Sequence, residues 1–137
     1  MSNLVRFGVS LERSLLDKFD KLIKEKSYTN RSEAIRDLIR DALVKKEWVE
    51  GKEVAGAISI VYDHHKRKLM DLIVDIQHEY QDMIVASQHA HLDHHNCLEV
   101  IIVKGSSNNI KTLADRLRAV KGVKHGSLSL TTLGKGF

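Results

Sequence analysis

The sequence predicts an α+β protein of two modules, a small helical one followed by a larger one built on an antiparallel sheet. Strand and helix periodicities alternate along residues 51–137, whereas residues 1–50 carry one short strand pattern and two helical patterns. All eight histidines lie after residue 63. Lys and Arg are spread evenly instead, with 11 in residues 1–50 and 11 in residues 51–137. The segregated imidazoles favour two modules with different chemistry.

The first module opens with a strand pattern. Residues 4–10 place Leu4, Arg6, Gly8 and Ser10 on one face and Val5, Phe7 and Val9 on the other, which is the period of a half-buried strand. Apolar residues at helical spacing predict a first helix over roughly 12–26. Asn30 followed by Glu33 has the form of a capping box, which begins a second helix that runs to about Trp48.

This first module is too small to stand alone. One strand and two helices in fewer than 50 residues bury too little surface for independent stability. A lone strand also leaves both of its edges unpaired. Antiparallel pairing with the same strand of a second chain solves both problems, so we expect an obligate dimer here.

The second module follows a linker around Gly51. Its patterns give the order β-α-β-β-α-β, a split βαβ arrangement that is ferredoxin-like, with two helices on one face of an antiparallel sheet. The predicted strands cover about 54–62, 83–92, 97–104 and 124–132, and the predicted helices cover about 66–81 and 107–120.

Composition narrows the class of protein. Hydrophobic residues make up 42% of the chain and charged residues 29%, which is typical of a soluble globular protein. The sequence contains no apolar run long enough for a membrane span and no apolar core of a secretory signal at its start, so we expect a cytoplasmic protein. A net charge of +4 permits nucleic-acid binding without demonstrating it.

A metal site is predicted where two strands meet. His89 and His91 are separated by one residue, so they point to the same face of a strand, about 6–7 Å apart, and can bind one ion. Cys97 begins the next strand. If residue 91 pairs with residue 97, the sulfur shares their face, whereas pairing of 91 with 98 turns it away. The site therefore depends on the hairpin register.

The fourth ligand and the metal stay open at this point. His78 on the preceding helix is the best further candidate, in the same chain or in another. Imidazoles with a thiolate suit zinc, copper or nickel, and four such ligands in a plane favour copper or nickel. The competing interpretation is an inert buried cysteine. The other histidines, taken singly, are predicted to be structural or solvent-facing, namely His64, His65, His94, His95 and His125.

Catalysis is a weaker interpretation of the same residues. Cys97 and His91 could be a nucleophile and its base. However, the sequence has no Gly-rich phosphate loop, metalloprotease motif or orienting third residue beside them. We therefore do not expect an enzyme.

Two sets of motifs resemble known families. Residues 28–37, YTNRSEAIRD, resemble the start of the second helix in ribbon-helix-helix repressors of the CopG type. Residues 77–80, QHEY, then HAH at 89–91, HNCLEV at 95–100 and GVKHG at 122–126, are similar to the sensor domain of the NikR family of nickel-responsive regulators. The resemblance covers essentially the whole chain.

This resemblance implies a homotetramer, a dimer of intertwined ribbon-helix-helix dimers around four ACT-like sensor domains. It divides the chain into a DNA-binding domain, 1–50, and a nickel-binding and tetramerisation domain, 51–137. It implies one square-planar Ni²⁺ per subunit, with His89, His91 and Cys97 from one chain and His78 from a neighbour. Gln77 and Glu99 match positions that hold the ligand imidazoles or order the neighbouring helix.

For DNA, the resemblance implies paired antiparallel strands in the major groove of double-stranded operator DNA. Arg6, Gly8 and Ser10 occupy the positions that read bases, although Gly8 stands where relatives usually have a hydroxyl residue and can read nothing directly. Four basic residues match positions that contact DNA phosphates in the family, namely Arg31, Arg36, Lys66 and Arg67. Glu33 and Asp37 match a secondary cation site.

We therefore predict a nickel-dependent DNA-binding repressor, with a nickel-uptake operon as its target. One alternative is a copper- or zinc-responsive regulator of the same architecture. The other is a ribbon-helix-helix antitoxin whose second domain binds an effector that is not a metal.

Overall fold

The computed structural model describes residues 3–137, so residues 1 and 2 of the predicted first module lie outside the described residues. The chain divides into two compact units, Met1–Asp41 and Ala42–Phe137. The helices are α1 (Arg13–Glu25), α2 (Arg31–Val49), α3 (Arg67–Glu79) and α4 (Ser107–Ala119), and the strands are β1 (Glu53–Asp63), β2 (Ile84–His91), β3 (Asn96–Ser106) and β4 (Val123–Leu130). From α1 onward this is the predicted order, with most ends within about two residues of the prediction.

The first unit forms its helices as predicted, with half of the expected capping box. The Asn30 side-chain oxygen accepts the N–H of Glu33 at 2.9 Å. The Glu33 carboxylate does not return to the Asn30 backbone but accepts the Thr29 hydroxyl at 2.9 Å. One cap bond therefore fixes the start of α2, since it satisfies a backbone N–H that the helix itself leaves free.

The strand predicted at residues 4–10 does not form within one chain. Residues 3–12 carry neither helix nor strand, and the apolar side chains of Leu4 and Phe7 are 88% and 71% exposed. A strand needs a neighbour for its backbone N–H and C=O groups, and residues 3–137 of a single chain supply none to this segment. The alternating segment therefore has no partner strand within the described part of a single chain.

The second unit contains a four-stranded sheet in the order β2-β3-β1-β4, antiparallel throughout. Burial alternates along β1, where Val54, Ile58 and Ile60 are fully buried and the alternate residues after Glu53 are half-buried. The buried faces of β1 and β3 pack with the apolar faces of α3 and α4 in one core. This is the predicted α+β arrangement, with the helices covering one face of the sheet.

The last two turns of α2 belong to the second unit. Trp48 is 1% exposed and lies in its core. Its indole N–H donates to the Thr131 carbonyl at 2.9 Å, and its own carbonyl accepts the buried Ser107 hydroxyl at 2.7 Å. These bonds join the end of α2 to the start of α4 and to the chain after β4.

The opposite face of the sheet and the edge strand β2 remain accessible. Val61, Leu98 and Val100 are only partly buried on the face away from the helices, and Ile102 is 46% exposed there. Nearly all of β2 is exposed. Among residues 3–137, we find no helix with both the length and the apolar character needed to cross a membrane.

Candidate functional site

The hairpin register determines which way the predicted ligands point. Across β2 and β3, His91 lies opposite Cys97, and His89 lies opposite Glu99. Directly opposed residues project to the same face of a sheet. Cys97 and Glu99 are buried on the helix-covered face, so His89 and His91 emerge on that side as well. The register condition stated for the metal site is met.

The turn between these strands is held by one carboxylate. An Asp93 side-chain oxygen accepts the backbone N–H groups of His95 at 2.9 Å and Asn96 at 2.7 Å. These bonds to Asn96 and His95 lower the pKa of Asp93 to about 2. An ionised Asp93 therefore stabilises the turn that sets the strand register.

Glu99 is the centre of a buried polar network. It is 2% exposed, and its carboxylate accepts the Tyr62 hydroxyl at 2.8 Å and the Gln77 amide at 2.8 Å. His89 Nε2 lies 3.0 Å from the same carboxylate. Metal-binding histidines commonly donate their second ring nitrogen to a carboxylate, which fixes the ring orientation. The family resemblance pointed to Gln77 and Glu99 but not to Tyr62, whose position in an apolar strand indicated only a core residue.

Cys97 is fully buried on β3, opposite Tyr62 on β1. Burial raises the pKa of its thiol above the ordinary value, and the negative charges of Glu99 and Asp63 raise it further. A hydrogen bond with the Tyr62 hydroxyl acts in the opposite direction. A metal at this sulfur must displace a proton that the surroundings retain.

His78 lies in the last turn of α3 and is exposed. Arg116 on α4 stabilises the end of that helix. Its guanidinium contacts both Glu79 carboxylate oxygens, at 2.6 and 3.3 Å, and lies 5.5 Å from the ring centroid of Tyr80. His78 and His89 line one open pocket of about 420 Å³. The other lining residues are Val74, Gln77, Gln81, Ile84, Ser87 and Glu99.

The predicted metal ligands lie in the same region of the fold, but their donor atoms do not converge on one point. His89 is turned towards Glu99, and the His91 ring stacks on His64 with centroids 4.3 Å apart and planes 2° from parallel. Among residues 3–137, one group of metal-binding side chains has all three donor atoms within 4.8 Å of one another. That group is Asp63, His65 and His95, which sequence reasoning missed because it weighed each histidine singly.

The predicted DNA-contacting residues are exposed. Arg6, Gly8 and Ser10 lie in the segment 3–12, and Arg36 is on the surface of α2. Lys66 precedes α3 as its N-cap residue and Arg67 begins that helix. Arg31 is already paired, since its guanidinium makes two bonds of 2.9 Å to the Asp20 carboxylate.

The residues of the predicted secondary cation site have protein partners. Glu33 accepts the Thr29 hydroxyl at 2.9 Å, as described above. Asp37 accepts the Tyr28 hydroxyl at 2.7 Å. This bond to Asp37 raises the pKa of Tyr28.

Two family models match the chain. Residues 5–46 match the ribbon-helix-helix protein family of the CopG type. Residues 55–131 match the NikR C-terminal nickel-binding domain. A solved structure of an uncharacterized protein from Thermotoga maritima has a TM-score of 0.53 at 14% identity, covering 58% of this chain and 98% of that one. That likeness concerns the fold alone.

Relatives named as nickel-responsive regulators match over almost the whole chain. One from Syntrophus aciditrophicus is 58% identical and covers 98% of both chains. One from Chlorobium limicola is 54% identical and covers 98% of this chain and all of its own. One from Pyrococcus furiosus is 58% identical and covers 96% of both. These relatives are transcription regulators and not enzymes. The chain belongs to the NikR family of nickel-responsive regulators.

Proposed function

We propose that this protein is a nickel-dependent, sequence-specific DNA-binding repressor of nickel-uptake genes. The observation that carries the proposal is the pairing of His91 with Cys97, which puts two imidazoles and a thiol on one face of the β2–β3 hairpin. That donor set fits nickel, and it also fits zinc or copper. Membership in a nickel-responsive family favours nickel among the three.

The proposed nickel ligands are His89, His91 and Cys97 of one chain with His78 of a neighbouring chain, at one Ni²⁺ per subunit. When bound, nickel would supply a link between two subunits. The Glu99 carboxylate lies 3.0 Å from His89 Nε2 and accepts the Gln77 amide, so the network orients one proposed ligand and orders the helix that carries His78. His78 and His89 also line the same pocket within one chain, and the mixed tetramers described below distinguish the two arrangements.

We propose a homotetramer, a dimer of ribbon-helix-helix dimers. Two exposed apolar surfaces support association. Residues 4–10 present an alternating segment without a partner strand among the described residues. The uncovered sheet face presents Val61, Leu98, Val100 and Ile102. Large apolar patches of this kind mark interfaces between proteins.

The surface proposed to contact the operator bases is the exposed face of residues 4–10. Arg6 can make a bidentate contact to guanine, and Ser10 can reach a base edge or a phosphate. Gly8 adds no side chain of its own. Arg36, Lys66 and Arg67 are proposed phosphate contacts, and Arg31 becomes one if its pair with Asp20 rearranges. The proposed domains remain 1–50 for DNA binding and 51–137 for nickel binding, in the cytoplasm, where operator DNA is found.

Glu33 and Asp37 remain the proposed secondary cation site. Both carboxylates accept one hydroxyl hydrogen bond, from Thr29 and Tyr28. A carboxylate offers two oxygens and about four lone-pair sites, so a cation can bind without displacing these donors, although Arg40 Nη1 already lies 3.9 Å from the second Asp37 oxygen.

Operator binding with and without nickel tests the function. Duplexes would be selected from a random library by the nickel-loaded protein and then measured by gel mobility shift. We expect nickel to strengthen binding by the wild type but not by His89→Ala or Cys97→Ala. His125→Ala, an exposed histidine on β4, is the matched control and should respond like the wild type. Nickel-independent binding of the operator by the wild type would contradict the proposal.

Absorption spectra and mixed tetramers test the metal and the shared ligand. Nickel–thiolate bonds should give visible charge-transfer bands that Cys97→Ala removes, while a stronger response to copper or zinc would favour the alternative regulator. Mixing His78→Ala with Cys97→Ala chains should restore some sites if His78 acts across subunits. No restoration would place His78 and Cys97 at the same site within one chain.

A further inference from the structure

Four residues at the end of β1 and in the segments that follow β1 and β2 form a second cluster of metal-binding side chains. The segment after β1 meets the β2–β3 turn through a backbone bond of 3.1 Å from His64 N to the His95 carbonyl. This bond brings Asp63 and His65 to the same place as His94 and His95. The His65 ring centroid lies 5.2 Å from that of His94 and 5.5 Å from that of His95.

The donor atoms of three of these residues are already gathered. One ligand atom each from Asp63, His65 and His95 lie within 4.8 Å of one another. Metal–nitrogen and metal–oxygen bonds are about 2.0–2.2 Å long, so donors on opposite sides of an ion are about 4 Å apart. Small side-chain rotations therefore bring all three within bonding distance of one ion. None of the three belongs to the set His78, His89, His91 and Cys97.

We propose that Asp63, His65 and His95 form a second site for a divalent transition ion such as nickel or zinc. One carboxylate and two imidazoles suit ions of this class. Each donor comes from the same chain, and His65 and His95 are exposed, so water can fill the remaining positions. The site has no thiolate, which distinguishes it chemically from the Cys97 site.

A purely structural role explains only part of the arrangement. Asp63 Oδ1 accepts the backbone N–H of His65 at 2.9 Å, which is a local turn bond. That bond leaves the second carboxylate oxygen available. His65 Nδ1 lies 3.3 Å from Asp63 Oδ1, and the two side chains are 50% and 21% exposed. That contact accounts for the pair within one segment, but neither it nor burial explains why their donor atoms converge with that of His95. Convergence of three donors from two separate segments is what a metal ion requires.

Nickel titration of the full-length protein tests this second site, with bound nickel counted by equilibrium dialysis. We expect two bound equivalents per subunit, of which only the one at Cys97 gives thiolate charge-transfer bands. The double variant His65→Ala/His95→Ala should lose one equivalent and keep the full band intensity. His125→Ala, again an exposed histidine, should keep both equivalents.

The Cys97→Ala variant makes the two sites independent in the test. This variant should lose the thiolate charge-transfer bands and retain one equivalent of nickel per subunit. The triple variant, which adds His65→Ala and His95→Ala, should lose that equivalent as well. A repeat with zinc should give the same stoichiometries. If the double variant binds as much nickel as the wild type while circular dichroism shows an unchanged fold, the second site does not exist. Missing bands in the wild type would instead contradict the Cys97 site alone.

Discussion

His89 Nε2 lies 3.0 Å from a Glu99 carboxylate oxygen that is itself buried and held by Tyr62 and Gln77. The exposed histidine is therefore anchored to a rigid acceptor in the interior. This contact explains how an exposed strand residue can hold one orientation.

The first prediction concerns Glu99. Glu99→Gln keeps the size of the side chain but removes its charge, so His89 loses a strong acceptor. Substitutions of such partners typically lower metal affinity about 10- to 100-fold. We expect a loss of nickel affinity in this range by competition with a chelator, with an unchanged circular dichroism spectrum. Glu53→Gln, at the exposed start of β1, is the control. Equal affinities for both variants would contradict an orienting role.

The second prediction concerns Arg116, which holds the end of α3 from α4. Its ion pair with Glu79 is exposed, at 39% and 57% for the two side chains, so Arg116→Ala should lower the free energy of unfolding only slightly. Nickel affinity should fall more noticeably, because His78 lies in the same helical turn as Glu79.

Arg118→Ala is the matched control for this variant. Arg118 lies on the same helix and contacts Asp115, three residues earlier, instead of α3. Urea unfolding and nickel competition should be measured for both variants. If the two lose nickel affinity equally, the contact with α3 has no part in placing His78.

The third prediction concerns pH and Asp93. Its folded pKa of about 2 lies below the ordinary 3.8, so the unfolded chain binds the proton more tightly. The stabilisation from Asp93 is therefore complete above about pH 4 to 5 and is lost as the pH falls towards 2. Asp93→Ala should unfold in urea more readily than the wild type at pH 5, and this difference should shrink at pH 3. Asp115→Ala serves as the comparison on α4, and a constant difference for Asp93→Ala at both pH values would refute the assignment.

The fourth prediction separates base reading from phosphate contact. Arg6→Ala should weaken operator binding by about 1–3 kcal/mol and relax the preference at one base pair. Arg36→Ala should weaken binding to every duplex alike and lower the slope of log affinity against log salt by about 0.9. Gel mobility shifts on operator and mutated operator, at several salt concentrations, distinguish the two. Identical behaviour of the two variants would contradict the proposed reading face.

Periodicity was sufficient to predict the elements of the second unit. The alternation along β1 and the helical stripes of α3 and α4 arise from burial on one face, and the structure has that face. Residues 4–10 are the exception, because the described part of a single chain supplies no partner strand to them. A periodicity shows that a face is buried, but it does not show which chain covers it.

The candidate site was only partly predictable for a similar reason. His89 and His91 could be paired from their spacing, because strand geometry fixes the direction of residues two apart. Tyr62 and the Asp63–His65–His95 group could not, since their contacts join segments about 30 residues apart that only the β1–β3 pairing brings together. Side-chain contacts between distant segments require the fold itself.

Trp48 has a practical consequence, because it is the single tryptophan of the chain and is 1% exposed. The protein therefore carries one fluorophore, located in the core of the unit Ala42–Phe137. Its emission should shift to the red only when that unit opens and water reaches the indole. Loss of structure confined to residues 3–41 should leave the emission wavelength unchanged while the helical dichroism falls. Tryptophan fluorescence can thus report the stability of the unit Ala42–Phe137 without a label.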